Sequence, residues 1–272
     1  MSISEANFRY LQGLVKSRTR ICLGDDKQYL VVSRLGKMVA DRRYASVDQL
    51  IEKARGSTEG PGLANALVEA LIIHETFFFR DPPFGDVLKQ IIAALQVQNV
   101  RRKNLNIWSA ACSTGQEAYS AALLLKEQLP SFADWHLAIL ATDYSETALK
   151  KAKSASYSMA EVNRGLPAAM LMRYFHQSGI VWQLRDEIRS MVEFRRLNLV
   201  ESWPLMPRQD LILLRNVLIY FDHETRLDIL DRIRRQMSPV GYLVLGASES
   251  LDKETGFIMD SEIRRIPCYR PA

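Results

Sequence analysis

Cysteine is scarce in this sequence: Cys22, Cys112 and Cys268 are the only three in 272 residues, far apart and without a CxxC pair. Neither a disulfide framework nor a structural zinc site follows from such spacing. No apolar run reaches the roughly 20 residues that a membrane span needs, and no basic stretch followed by an apolar leader opens the chain. The expected compartment is a reducing cytoplasm. Internal repeats and low-complexity tracts are also missing. What is present is ordinary for a globular protein: 47% hydrophobic, 25% charged and 9% aromatic residues, with a mean hydropathy of −0.12. That composition excludes disordered and fibrous classes, and the length points to one large or two unequal domains.

Charge is uneven. Lys and Arg number 36 against 31 Asp and Glu, a net +5, and residues 1–60 hold 11 basic and 7 acidic side chains, so +4 of that excess lies there. A basic N-terminal unit suits an acidic partner, nucleic acid or an acidic protein surface. The same region carries helical periodicity, clearest from Asp26 to Arg43. Val31, Leu35, Met38 and Val39 fall on one face, and Lys27, Arg34, Lys37 and Asp41 on the other. RGSTEGPG at 55–62 reads as a loop and Leu63–Ile73 as a buried helix, which makes residues 1–73 a small helical domain.

HETFFFRDPP follows at 74–83, where the Pro-Pro pair stops any helix, and residues 74–90 are expected to link two domains. His74-Glu75 does not start a zinc-protease HExxH, because Phe78 stands where the second histidine belongs. Helices and strands then alternate. Helices are predicted near 84–97, over 116–129, from Ser145 and over 223–237, with strands at 105–109, 137–142, 211–214 and 242–246. A last strand is predicted at 266–270. This is the signature of an α/β parallel sheet spanning 91–272. Ile180–Arg185 and Val192–Asn198 read as an antiparallel hairpin, a small β insert at about 176–197.

Three stretches carry chemistry. In NIWSAACSTGQEAYSAALLL, 106–125, an apolar strand runs through a loop of small residues into a helix, which lets a ligand approach the backbone and the helix N-terminus. GxGxxG is absent, and Glu117 in the first turn would repel a pyrophosphate while accepting hydroxyl or amino groups. Asp143 ends the next strand, 28 residues after Gly115, where a carboxylate can accept both ribose hydroxyls; the alternative is an N-cap for the following helix. QDLILLRNVLIYFD, 209–222, delivers Arg215 and Asn216 to the carboxyl edge of the sheet, with Tyr220 one turn later as either a core or a pocket residue.

FFFRD, SAACSTGQEAYS, ATDYS, YSMAEVNRG, the LNL around Asn198 and LLRNVLIYFD, in that order along nearly the whole chain, resemble the successive motifs of the chemotaxis receptor glutamate methyltransferases, the CheR family. The sequence departs from the family where Asn often stands at His74 and Pro at Ala118. The resemblance implies a Rossmann-like S-adenosylmethionine-dependent methyltransferase domain with a small antiparallel β insert, preceded by an all-helical domain. It implies transfer of a methyl group to glutamate carboxylates on the cytoplasmic helices of chemoreceptors for chemotaxis adaptation, with S-adenosylhomocysteine as product and no metal.

By motif, the cofactor-binding positions are His74, Thr76, Arg80, Glu117, Asp143, Asn198, Leu199, Arg215 and Asn216. Arg80 would also orient the substrate carboxylate, unless it merely pairs with Asp81, and Tyr220 would lie near the transferred methyl. Lys27, Arg34 and Lys37 would face acidic receptor helices. The connection HQSG after Phe175 is shorter than in members that hold a receptor tether by strand addition, so tether binding is not expected. A monomer that meets membranes only through receptors is expected. Two other readings are a non-catalytic cofactor-binding module that docks on receptors and a nucleic-acid methylating enzyme. RNVLIY lacks the Pro-Pro and aromatic signature of base-amino methylation, so no nucleic-acid partner is expected.

Overall fold

A computed structural model describes residues 2–56, 60–128 and 132–272. Packing divides the chain into two units, Met1–Ile73 with Tyr220–Thr225, and His74–Ile219 with Arg226–Ala272.

The first unit is built from α1 (Glu5–Thr19), α2 (Gln28–Asp41), α3 (Val47–Gly56) and α4 (Gly60–Leu71). Each buries a stripe at helical spacing: Phe8, Leu11 and Val15; Val31, Leu35 and Val39; Val47, Leu50, Ile51 and Ala54; Leu63, Leu67, Val68 and Leu71. Ser4 caps α1 by accepting from the Asn7 N–H, and its hydroxyl and the Asn7 amide both donate to Asp48.

Three expectations change here. α2 starts at Gln28, so Lys27 sits in a preceding 3-10 turn, ion-paired with Asp26 at 2.7 Å, and Met38 is only half-buried. Arg55 and Gly56 belong to α3 and Gly60–Gly62 to α4, while 57–59, the centre of the expected loop, lie outside the described residues. Gly60 can open α4 because a Cβ there would stand 2.7 Å from the Ala54 carbonyl oxygen. The segment 220–225, read from sequence as part of the α/β domain, packs with the helices. An Ile21–Phe221 bridge holds it, and the Cys22 N–H donates to the Tyr220 carbonyl at 3.2 Å.

The second unit begins with an irregular strap at 74–83 and α5 (Phe84–Gln98), so the last seven residues of the expected linker are helix. There follow β1 (Asn104–Ala110), α6 (Gln116–Gln128), β2 (His136–Asp143), α7 (Glu146–Ser154), β3 (Ser156–Ser158), α8 (Met159–Asn163), α9 (Ala168–Tyr174), β4 (Phe175–Ser178) and β5 (Val181–Leu184). The chain continues through α10 (Asp186–Arg189), β6 (Val192–Arg196), β7 (Gln209–Leu214), α11 (His223–Gln236), β8 (Met237–Leu245), β9 (Phe257–Met259) and β10 (Cys268–Pro271).

Seven strands form one sheet in the order β6-β2-β1-β7-β8-β10-β9. The first five are parallel, β10 runs antiparallel to β8, and β9 runs antiparallel to β10. β7 is buried along its whole length and β1 along nearly all of it, as strands covered on both faces must be. Chain order reverses between β1 and β7, and ligands bind such open sheets outside the carboxyl ends of the strands at the reversal.

The small sheet is β3-β5-β4, all antiparallel. The expected hairpin is therefore wrong in its pairing. Val181–Leu184 pairs with Phe175–Ser178 and Ser156–Ser158, and Val192–Arg196 lies parallel to β2 in the main sheet. HQSG is not just a connection, since His176–Ser178 are strand and Gly179, at φ +60, makes the turn. Among the described residues no helix is long and apolar enough to cross a membrane.

Candidate active site at the switch point

The loop after β1 turns sharply. Ala111, Ser113 and Gly115 all have left-handed φ, +61, +52 and +94. At Gly115 a Cβ would fall 2.9 Å from the Ala152 Cβ, so the small-residue run is required by packing as well as by backbone conformation. The Cys112 N–H donates to the Thr142 carbonyl, and the Tyr157 hydroxyl donates to the Thr114 carbonyl at 2.8 Å, which fixes the loop across the end of β2.

Asp143 closes β2 under this loop. It accepts from the Ser113 N–H at 2.8 Å and the Ser145 N–H at 2.9 Å, and it is 7% exposed. The N-cap alternative is settled, because the Ser145 side chain caps α7 by accepting from the Ala148 N–H. The Ser113 hydroxyl donates to the His74 carbonyl at 3.0 Å, so one serine joins the strap to Asp143. The Leu197 N–H donates to the Asp143 carbonyl, which brings Asn198 and Leu199 beside β2. Asn198 bonds Glu201 at 2.9 Å, and buried Leu199 offers its carbonyl to Trp203.

Across the reversal, Arg215 is the electrostatic centre. Its side chain is 1% exposed. It donates to Glu117 at 3.1 Å, to Asp81 at 2.8 Å and to the Arg80 carbonyl at 2.5 Å, and it lies 4.0 Å from the centre of the Phe84 ring. Glu117 also accepts from the Ser109 hydroxyl at 2.7 Å. The alternative for Arg80, a pair with Asp81, does not form, since Asp81 turns to Arg215. The Arg80 guanidinium instead reaches the Glu75 carbonyl at 2.7 Å and lies 5.7 Å from the Phe77 ring centre. Thr76 is half-buried between them in sequence.

Asn216 takes a left-handed φ of +57, and Glu249 holds it there. This carboxylate, 5% exposed, accepts from four backbone N–H groups, those of Asn216, Val217, Leu218 and Gly246. Sequence reasoning passed over Glu249, Asp81 as a partner of Arg215, and Ser113. Position was the available signal for Glu249, a carboxylate just beyond the carboxyl end of β8.

Four carboxylates thus lie at this sheet edge: Asp81 and Glu117 on the buried Arg215 guanidinium, Asp143 and Glu249 on backbone N–H groups. Burial pushes the Cys112 thiol well above its usual range, and Asp143 and Glu117 push it further, which reports the negative field at this edge. Several buried polar atoms here have no hydrogen-bond partner among the described residues: both ring nitrogens of His74, Nε of Arg215 and Oδ1 of Asn216. Such orphans are costly unless a ligand meets them. A polar, cationic ligand such as S-adenosylmethionine fits this donor set and this charge.

The remaining expected residues lie in the helical unit. Tyr220 is half-buried in the 3-10 turn Leu218–Tyr220. The Arg34 guanidinium donates to the Leu71 carbonyl at 2.6 Å, closing the end of α4, and Lys37 is exposed.

Comparison with known proteins agrees with this architecture. Residues 6–72 match the CheR methyltransferase all-alpha domain and residues 74–265 the CheR methyltransferase SAM binding domain. The chain is 39% identical over 260 residues to chemotaxis protein methyltransferase 1 of Pseudomonas aeruginosa, covering 93% of each chain. It is 38% identical over 260 residues to chemotaxis protein methyltransferase Cher2 of Pseudomonas putida, again 93% of each. To the chemotaxis protein methyltransferase of Vibrio anguillarum it is 35% identical, over 92% of this chain and 91% of the relative. With both domains matched in order around the site just described, the chain belongs to the CheR methyltransferase family.

Proposed function

We propose that the chain transfers the methyl group of S-adenosylmethionine to glutamate side chains on the cytoplasmic helices of chemoreceptors, giving glutamyl methyl esters in chemotaxis adaptation. The observation that carries this reading is the pairing of a carboxylate-lined, ligand-hungry sheet edge with an arginine, Arg80, that ion-pairs with no carboxylate within 4 Å among the described residues. When bound, S-adenosylmethionine supplies a sulfonium methyl: a carboxylate oxygen bonds to the methyl carbon, and the electron pair of the broken S–C bond passes to sulfur.

The chain's residues have positioning to do rather than proton transfer. A glutamate with a free pKa of about 4.3 is already ionised at neutral pH, so no general base is required. Asp143 accepts the ribose hydroxyls. Glu117, whose two oxygens each hold one internal bond, has acceptor capacity left for an amino or hydroxyl group. His74, Thr76, Asn198, Leu199, Arg215 and Asn216 complete the cofactor site, and the four carboxylates favour a cation there. Arg80 orients the substrate carboxylate through its planar guanidinium. Neutralisation of both charges as the bond forms makes a water-poor, aligned site effective. Lys27, Arg34 and Lys37 steer acidic receptor helices.

The test is labelled methyl transfer to purified receptor cytoplasmic fragments, beside calorimetry with S-adenosylhomocysteine. Base-labile label on the receptor, lost in Arg80→Ala while the product still binds, is the expected outcome. Product binding without any label would leave a non-catalytic docking module, and no binding would overturn the reading entirely.

A further inference from the structure

The motif YSMAEVNRG carries, just before its final glycine, an arginine that the cofactor site does not use. Arg164 lies with its guanidinium carbon 4.1 Å from the centre of the Phe77 ring, the same ring approached by Arg80 at 5.7 Å. Much of the local structure serves to bring it there. A full capping box between Ser158 and Glu161 opens the short helix α8 that precedes it. Gly165, at φ +86, presses on the strap so closely that a Cβ would stand 2.0 Å from the Phe78 carbonyl oxygen. The small sheet and the strap are thus locked together at this arginine.

Among the described residues its one ionic partner is Glu75, at 2.8 Å, with the two side chains 54% and 58% exposed. Arg164 and then Arg80 hold the Glu75 carboxyl below the usual carboxylate range. An exposed pair of this kind adds little to stability, so stability does not explain so constrained an arrangement. Two cations stacked on one aromatic ring, in the strap that also carries His74 and Thr76, form a surface built to receive carboxylates.

We propose that Arg164 is a substrate-binding residue: together with Arg80 on Phe77 it forms a two-guanidinium seat for acidic side chains of the protein substrate, Arg164 taking a carboxylate that flanks the methylated glutamate. Glu75 is the chain's own carboxylate on that seat and competes with the substrate for it. This rests on the glutamate substrate proposed above. It makes acidity beside the target glutamate a determinant of which sites are methylated.

Competition gives the test its sign. With the full chain, labelled S-adenosylmethionine and a purified receptor cytoplasmic fragment, Arg164→Ala raises KM for the fragment about tenfold, the effect falling on KM rather than kcat. Glu75→Gln lowers that KM severalfold, because it releases Arg164 without removing it. Neither changes the affinity for S-adenosylhomocysteine. If both variants raise KM, or if Arg164→Ala weakens product binding as much as fragment binding, Arg164 only braces the strap and the proposal fails. If Arg164→Ala does not fold, Glu75→Gln decides alone, and an unchanged or raised KM overturns it. Wild type that binds product yet labels no fragment would instead show that the glutamate substrate is wrong, and the seat falls with it.

Discussion

A carboxylate that accepts four backbone N–H groups, as Glu249 does, cannot be removed without leaving those donors buried and unpaired. Glu249→Ala is expected to lower the unfolding free energy by on the order of 3 kcal/mol, read from urea denaturation. Glu249→Gln, which keeps one acceptor oxygen, should lose about half of that, and equal midpoints for alanine and wild type would contradict the role. Sequence signals this residue only by its position just past the end of β8, because a glutamate in GASES otherwise reads as a solvated loop side chain. The same limit applies at Arg80 and Asp81. Adjacency suggested a pair, but a left-handed φ of +68 at Asp81 belongs to a strap that sends its carboxylate to a partner 134 residues away. The positions legible in the sequence are Asp143, Arg215 and Asn216, at or just past strand ends, and Glu117, in the first turn of α6, all at the edge where the α/β pattern says ligands go.

Among the elements, β1, its loop and α6 were readable because their demands are local: a buried run, then small residues, then a helix. Gly115→Ala tests how tight that demand is. A φ of +94 and a Cβ 2.9 Å from Ala152 leave no relaxed position for a methyl group. The variant should lose about 1–3 kcal/mol of stability and bind S-adenosylhomocysteine at least tenfold more weakly by calorimetry. The insert was misread for a related reason. Val192 and Phe194 are buried and Glu193 and Arg195 exposed, an alternation that an edge strand of the main sheet shares with a hairpin arm. Nothing in such a pattern names the partner strand. The true third strand, Ser156–Ser158, is only three residues long, wedged between the end of α7 and the capping box of α8.

At the scale of the whole molecule, the α/β unit buries groups that resist ionisation. Burial raises Cys112 well above the ordinary thiol range, pushes Cys268 up to about 12, and raises the phenols of Tyr119 and Tyr157. In the unfolded chain thiols ionise at about 8.5 and phenols at about 10. Above those values the unfolded state binds fewer protons than the folded one, so stability falls as pH rises. This contribution is fully present below about pH 8 and is lost progressively beyond it, at up to about 1.4 kcal/mol per pH unit for each ionising group. Urea midpoints measured from pH 7.5 to 10.5 should decline steadily, and a flat profile would refute the account. The division into a helical and an α/β part was visible in the sequence as a change of hydrophobic period near residue 74. The return of 220–225 to the helices was not, because a three-residue turn and one β-bridge leave no periodic trace.

The strap from 74 to 83 contains two non-glycine residues in left-handed conformations, Phe79 at φ +49 and Asp81 at +68. Each costs on the order of 1 kcal/mol or more relative to a relaxed backbone. The same guanidinium nitrogen of Arg215 holds the Arg80 carbonyl and the Asp81 carboxylate that flank the bend. Further along, the Ser120 hydroxyl accepts from the Phe79 N–H and the Ser113 hydroxyl donates to the His74 carbonyl, so the strained bend is pinned on both sides and its cost is borne by bonds spread along the strap.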